Sequence, residues 1–277
     1  MQEETIEDLG RAGFKMIQKK NGFRFGEDTV LLAHFAAGYL GRKGKKNKRV
    51  LEFGCNCGAA SLLLAARRPD ICIVGVEIDP SASMIFSKNI ALNHLEEKVF
   101  SICTDLRDFN HWDLDMKNSS CKKYNEDIKS KPTAGKECRY DMVFFNPPYR
   151  VPGREKDMNT DSPELRNARF EINGGIEDFI RAAKKALLPN GKLVIVHRAS
   201  RLSECFSFLE KYKLQPELLR MVHSRKDKEA KLFLLGAKMN GRPGGFRVLP
   251  PLILYEKSHE QKLLKKSEEL KKIYGDE

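Results

Sequence analysis

The sequence predicts an α/β fold, a doubly wound and mostly parallel sheet with an antiparallel strand near the C-terminus, and three observations carry that expectation. First, strand-like runs at 50–53, 71–76 and 99–103 alternate with helical segments at 59–67 and 81–94, the rhythm of parallel βαβ units. Second, Tyr140-Asp141-Met142-Val143-Phe144-Phe145 is apolar on successive residues, as a strand buried on both faces must be. It stops at Asn146-Pro147-Pro148-Tyr149, because two prolines lack backbone N–H groups and fix φ. Third, a buried run at 193–197 is followed by two closing strands at 218–223 and 231–239, joined by the polar turn Ser224-Arg225-Lys226-Asp227-Lys228-Glu229.

Taken in order, residues 14–25 alternate loosely around Lys19-Lys20-Asn21-Gly22 and read as a hairpin turning there. Gly26-Glu27-Asp28 opens a helix through Val30, Leu31, Leu32, Phe35 and Ala36, with Asp28 as the N-cap. The stretch 41–49 is a basic loop, suited to solvent or to phosphate. Pro80 starts the helix at 81–94. Residues 113–139 are rich in Lys, Asn, Ser and Asp without periodicity and read as a surface insertion, disordered by composition. The polar run 150–175 reads as a substrate-binding or lid loop. A helix at 176–188 is stopped by Pro189-Asn190-Gly191, and a second helix occupies 202–212. Residues 249–255 form an edge element, since Pro250 and Pro251 exclude a central strand. The expected organisation is a hairpin-and-helix segment at 1–47, a core domain at 48–257 and a charged helix at 258–277.

Lys and Arg number 50 against 38 Asp and Glu, a net charge of +12. That excess points to an anionic partner, nucleic acid before membrane. No apolar run approaches the roughly 18 residues of a membrane span, and the acidic start lacks the basic and apolar parts of a signal peptide. Seven scattered cysteines do not make a disulfide framework, and Cys121 and Cys138 lack the paired spacing of a zinc site. A reduced, cytoplasmic chain without a metal is expected.

The strand ends define a site. Gly54 and Gly58 bracket a turn that brings backbone close to a ligand and then opens a helix. Glu77, ending the second strand, is spaced to accept ribose hydroxyls, and Asp105, ending the third, to accept from an adenine amino group. No Lys-Ser/Thr pair follows the glycines, so a phosphate-cradling loop is excluded. Asn56 and Cys57 occupy the middle of the turn, where a dinucleotide binder has glycine. An adenosine cofactor without a pyrophosphate fits better, and S-adenosylmethionine is one, its amino acid end near Glu52 and the Gly54 turn. At the break after the fourth strand, the Asn146 amide, the Pro147 carbonyl and the Tyr149 ring suit a flat group whose NH₂ needs two acceptors and whose face needs a partner. Pro148 stiffens the segment.

Glu52-Phe-Gly-Cys-Asn-Cys-Gly58, Gly75-Val-Glu-Ile-Asp79 and Asn146-Pro-Pro-Tyr149 resemble the successive motifs of Rossmann-like class I S-adenosylmethionine-dependent methyltransferases. Phe23-Arg-Phe-Gly-Glu-Asp-Thr-Val-Leu-Leu-Ala33, Val196-His-Arg198, Lys228-Glu-Ala-Lys231 and Val248-Leu-Pro-Pro-Leu252 are similar to the bacterial tRNA1(Val) adenine-N6-methyltransferase family. Many class I enzymes have Asp in place of Glu52 and glycine in place of Asn56. Asn is the side chain most tolerant of a left-handed backbone, so the turn survives. Together these readings assign catalysis to Asn146, Pro147, Pro148 and Tyr149. They assign the cofactor to Glu52, Gly54, Cys55, Asn56, Gly58, Glu77, Ile78, Asp105, Leu106 and Asn146. Candidate phosphate contacts on tRNA are Arg150, Arg154, Arg198, Arg201, Arg225, Lys226 and Lys228. A glutamine amide in a release factor presents the same NH₂ and is the nearest rival. DNA adenine and ribosomal RNA guanine follow, and an RNA-binding protein with a decayed site is a rival of another class.

Overall fold

The computed structural model describes residues 3–20, 24–41, 48–109, 139–149, 171, 174–257 and 264–275. In chain order the elements are β1 (Glu4–Asp8), β2 (Lys15–Lys19), α1 (Glu27–Tyr39), β3 (Lys48–Phe53), α2 (Ala59–Arg67), β4 (Ile71–Glu77), α3 (Pro80–Leu92), β5 (Val99–Cys103) and β6 (Tyr140–Phe145). There follow α4 (Ile176–Ala186), β7 (Leu187–Arg198), α5 (Leu202–Lys211), β8 (Leu214–His223), β9 (Ala230–Met239), β10 (Arg247–Val248), β11 (Leu252–Ile253), β12 (Tyr255–Lys257), β13 (Leu264–Lys266) and α6 (Glu268–Tyr274).

The central sheet runs β8-β9-β7-β6-β3-β4-β5. Strands β3 to β7 are parallel, and β9 is antiparallel to both β7 and β8. From β3 the chain winds outward through β4 and β5. It then returns to β6 on the other side of β3, so the winding reverses between β3 and β6. Open α/β sheets bind ligands at the carboxyl ends of the strands flanking such a reversal. The alternation of the strands builds a core on each face. Val50, Met142 and Phe144 pack on the side of α1, α2 and α3, while Leu51, Val143 and Phe145 face α4 and α5. Phe144 and Phe145 are fully buried, each worth about 1.5–3 kcal/mol. That burial fixes the strand whose end carries the Asn-Pro-Pro-Tyr segment.

Several elements differ from the sequence expectation. The N-terminal hairpin pairs β1 with β2 and turns at Leu9–Phe14 rather than near Lys20. Gly10, Ala12 and Gly13 adopt the positive φ that this turn requires. Helix α1 begins at Gly26, and Asp28 lies inside its first turn instead of capping it. Asp79 caps α3, accepting from the Ser81 and Ala82 amides at 2.7 and 3.4 Å, with Pro80 at the first helical position. Pro189-Asn190-Gly191 does not stop a helix; it lies within β7. The register against β6 shifts between Tyr140 and Met142, and Asn190 has φ +65°. Two two-residue strands, β10 and β11, line the edge beside β8, with the prolines between them. The tail is not one helix from 258. Strand β13 pairs with β12, and the short α6 buries Leu270 and Ile273 in the α1 side of the core. Arg11 and Arg67 donate to the Ile273 carbonyl, and Arg11 also to that of Lys272, placing positive charge on the C-terminal carbonyls of α6. The expected loops at 41–49 and 150–175 and the insertion at 113–139 fall largely or wholly outside the described residues.

Asn89 on α3 joins the hairpin to the sheet. Its Oδ1 accepts from the Ile17 amide at 2.6 Å, and its Nδ2 donates to the Ile17 and Cys57 carbonyls at 3.0 and 2.9 Å.

Candidate active site

The carboxyl ends of β3, β4, β5 and β6 open into one cleft. Its walls include Glu52, Gly54, Cys55, Asn56, Glu77, Ile78, Asp105, Leu106, Asn146 and Pro148. Phe25 and Thr29, from the 23–33 segment that carried the resemblance but no site role, and Phe179, which the sequence did not mark, also line it. The β3–α2 turn follows its glycines. Gly54 and Asn56 take φ +66° and +48°, and the Gly54 and Cys55 amides donate to the Val76 carbonyl. Gly58 is not on the cleft wall. It starts α2 at φ +86°, and a Cβ there would lie 1.9 Å from the Phe86 ring, so its place is in the packing beneath the turn.

Glu77 is buried and spans that turn. Its Oε2 accepts from the Asn56 amide at 2.8 Å and its Oε1 from the Asp79 amide at 2.9 Å. Each oxygen keeps a second lone pair for a hydroxyl. Burial raises the Glu77 pKa, opposed by these two amides. Glu52 lies deeper and accepts from the Ser61 hydroxyl at 2.5 Å; burial pushes its carboxyl up to about 8. The Cys55 and Cys57 thiols are buried, and burial pushes Cys57 up to about 12. A thiol held protonated this way is a poor nucleophile. Among the described residues no group of three or more His, Cys, Asp and Glu could hold a metal.

Asp105 does not stand open. Arg107 holds both its oxygens, with Nε at 2.9 and 3.0 Å, and lowers its pKa. The pair is partly exposed at the cleft edge, where it can yield to a ligand at low cost. Ile78, an exposed apolar side chain, and Leu106 supply flat surface beside it.

The tetrad corrects the sequence expectation most. The Asn146 amide and the Tyr149 ring do not both face an open site. Asn146 Nδ2 donates to Asp28 Oδ2 at 3.1 Å, and the Tyr149 hydroxyl reaches the same oxygen at 2.9 Å and also Asn146 Oδ1. The Tyr149 ring lies against His197, with centroids 5.0 Å apart, and the Arg198 guanidinium carbon is 5.8 Å from the Tyr149 centroid. Burial, then the Asp28 carboxylate, raise the Tyr149 hydroxyl well above its ordinary pKa, so it acts as a donor. His197 is fully buried and burial brings it down to about 3. Its Nδ1 accepts from the Arg198 amide, and its Nε2 has no partner among the described residues.

Of the expected phosphate contacts, Arg201 is bound to Glu171 at 3.0 Å and to Glu204, and its charge is already matched. Arg225 lies 3.4 Å from Asp227, with Lys226 and Lys228 exposed in the same β8–β9 turn. Arg150 and Arg154 lie outside the described residues.

The TRM5/TYW2 methyltransferase domain family matches residues 33–119, less than half of the chain. A tRNA1(Val) (adenine(37)-N6)-methyltransferase of Porphyromonas gingivalis is 26% identical over 226 residues, covering 80% of this chain and 76% of its own length. A release factor glutamine methyltransferase of Buchnera aphidicola is 26% identical over 189 residues, covering 67% of this chain and 58% of its own. A predicted O-methyltransferase from Agrobacterium tumefaciens superposes with a TM-score of 0.60 at 17% identity, over 90% of this chain and 95% of that one. The Pyrococcus horikoshii TYW2 structure in complex with MeSAdo superposes at 0.52 and 14% identity, over 86% and 72%. The fold is that of the class I methyltransferases. This chain is an S-adenosylmethionine-dependent methyltransferase.

The cleft of the methyltransferase fits that cofactor. Glu77 has lone pairs to spare for a diol, the Gly54–Asn56 backbone approaches without side-chain obstruction, and the apolar Ile78 and Leu106 offer faces to a flat ring.

Proposed function

We propose that this methyltransferase acts on the exocyclic N6 of an adenine in tRNA, in the anticodon-loop region of a tRNA1(Val)-like substrate. The observation that carries the reading is the Asn-Pro-Pro-Tyr segment at the end of β6, with Asn146 and Pro148 on the wall of the cleft that fits the cofactor. The name of the Porphyromonas relative and the net charge of +12 support a tRNA partner. When bound, S-adenosylmethionine supplies a methyl group on a positively charged sulfur.

The adenine N6 lone pair is delocalised into the ring, which makes it a poor nucleophile. Asn146 Oδ1 and the Pro147 carbonyl accept its two N–H bonds, draw the nitrogen toward tetrahedral geometry and aim the lone pair into the cleft. With the cofactor held by the cleft, its methyl group would pass from sulfur to that nitrogen, which would then release one proton to water. The protein contributes position and dipoles matched to the positive charge that develops on nitrogen. Tyr149, packed on His197 with its hydroxyl between Asp28 and Asn146, holds the segment in place rather than meeting the base. An unpaired loop base costs less to extrude than a paired one.

Asn146→Ala is expected to lower turnover by at least about a hundredfold, with a much smaller loss of S-adenosylmethionine affinity by calorimetry. Full turnover in that variant would remove the tetrad from the mechanism. The glutamine amide of a release factor is the second reading, favoured by the Buchnera relative. Incubation with labelled methyl donor and either total tRNA or a release-factor peptide separates the two by where the label appears.

A further inference from the structure

Asp28 divides its two oxygens between two jobs. Oδ1 faces its own helix and accepts from the Thr29 amide at 2.8 Å and the Thr29 hydroxyl at 3.4 Å. Oδ2 faces the end of β6 and accepts from Asn146 Nδ2 and the Tyr149 hydroxyl, at 3.1 and 2.9 Å. A carboxylate only accepts, so it selects the NH₂ edge of the Asn146 amide and turns Oδ1 the other way. The Tyr149 hydroxyl has one proton and two acceptors in reach, Asp28 Oδ2 and Asn146 Oδ1. When the proton points at Asn146, it fills the acceptor that a substrate amine needs. When it points at Asp28, that acceptor is open.

We propose that Asp28 is a positioning residue of the transfer, which orients the Asn146 amide and accepts the Tyr149 hydroxyl hydrogen bond when a substrate N–H claims Asn146 Oδ1. The inference rests on the reading that Asn146 receives the substrate amine. The exchange is inexpensive because the hydroxyl swaps one acceptor for another and loses none. Without the carboxylate, two faults arise together. The amide is free to turn and set its NH₂ against the NH₂ of the substrate. The Tyr149 hydroxyl is left with Asn146 Oδ1 alone and competes for it.

The second fault gives a result that loss of structure does not. Asp28→Ala is expected to lower kcat on the order of 100-fold, as a misplaced reacting group does, with S-adenosylmethionine affinity by calorimetry within twofold of the parent. Binding of unmethylated tRNA in the absence of any methyl donor is expected to weaken several-fold. Adding Tyr149→Phe to Asp28→Ala removes the competing hydroxyl and is expected to recover part of the lost kcat, although Tyr149→Phe alone brings no gain. Asp28→Asn keeps the volume of the side chain and guards against misfolding; its thermal midpoint is expected to match the parent while kcat still falls.

Turnover within twofold of the parent in both Asp28 variants would overturn the proposal. So would a double variant no faster than Asp28→Ala. Asn146→Ala assayed alongside separates the two possible failures. Full turnover there sinks the reading of the tetrad and the proposal with it, whereas an inactive Asn146→Ala beside an unimpaired Asp28→Ala sinks the proposal alone.

Discussion

The Glu52 carboxyl lies in the floor of the cleft with the Ser61 hydroxyl donating to it, and its buried position sets a pH dependence for the whole protein. Its pKa rises from an ordinary 4.5 to about 8 on folding. The folded state therefore holds the proton that the unfolded state loses. This contribution to stability is fully present below about pH 4.5 and is lost as pH rises through about 8. Within that window each pH unit costs about 1.4 kcal/mol from this one group. Burial shifts Glu77 in the same direction. Urea unfolding at a series of pH values is expected to show a shallower fall for Glu52→Gln than for the parent; equal slopes would remove Glu52 as the source. Glu52, Glu77 and Asn146 were legible as residues because each closes a strand or precedes a chain break, and strand ends are visible in sequence. Asp28 was not. An acidic residue after Gly26 has the look of a local cap, and nothing local marks a bond to a side chain 118 positions away. The packing of Tyr149 on His197 is hidden for the same reason.

At the scale of elements, the Phe86 ring explains two glycines at once. It occupies the space where a Cβ on Gly58 would stand at 1.9 Å and one on Gly75 at 2.4 Å, so α3 sits close against the β3–α2 turn. Gly58→Ala combines that overlap with a left-handed backbone at φ +86° and is expected to destabilise by roughly 2–4 kcal/mol. Gly38→Ala, in the last turn of α1 with nothing within 4 Å of its Cβ, is the control and is expected to stabilise slightly. Denaturant midpoints of the two variants check the contrast. Strand β5 falls where the sequence placed it, since turn chemistry marks its end at Thr104-Asp105. The hairpin does not, although its second strand was recognised. The first strand, Glu4–Asp8, is polar at nearly every position and gives no alternation to read, while Asn21-Gly22 offered a stronger turn signal than the true turn at Gly10–Gly13. Pro189-Asn190-Gly191 likewise has the composition of a stop, but the pairing of β7 with β6 absorbs it as an irregularity.

For the molecule as a whole, strand direction decides where the basic turn lies. Strand β9 runs antiparallel to β7 and pairs Leu232 with Arg198, so the β8–β9 turn with Arg225, Lys226 and Lys228 sits at the same end of the sheet as the tetrad. In a substrate whose base reaches Asn146, the neighbouring phosphates would pass that end. Reversing Arg225, Lys226 and Lys228 together to Glu is expected to raise the KM for tRNA several-fold and to flatten its salt dependence, because fewer counterions are released. An unchanged salt slope would move the RNA footprint elsewhere. The parallel, doubly wound character of the sheet follows from the strand–helix rhythm of the sequence, whereas the order of its strands is seen only in the structure. The docking of the tail does not follow from that rhythm, because it depends on Arg11 and Arg67 meeting the carbonyls of α6, a contact between distant parts of the chain.

Asn89 gives one more consequence. A single side-chain amide grips the backbone of Ile17 in the N-terminal hairpin and that of Cys57 in the turn below the cofactor. The hairpin is thus no loose ornament on the catalytic body. Removing that one amide would release the hairpin and the turn together.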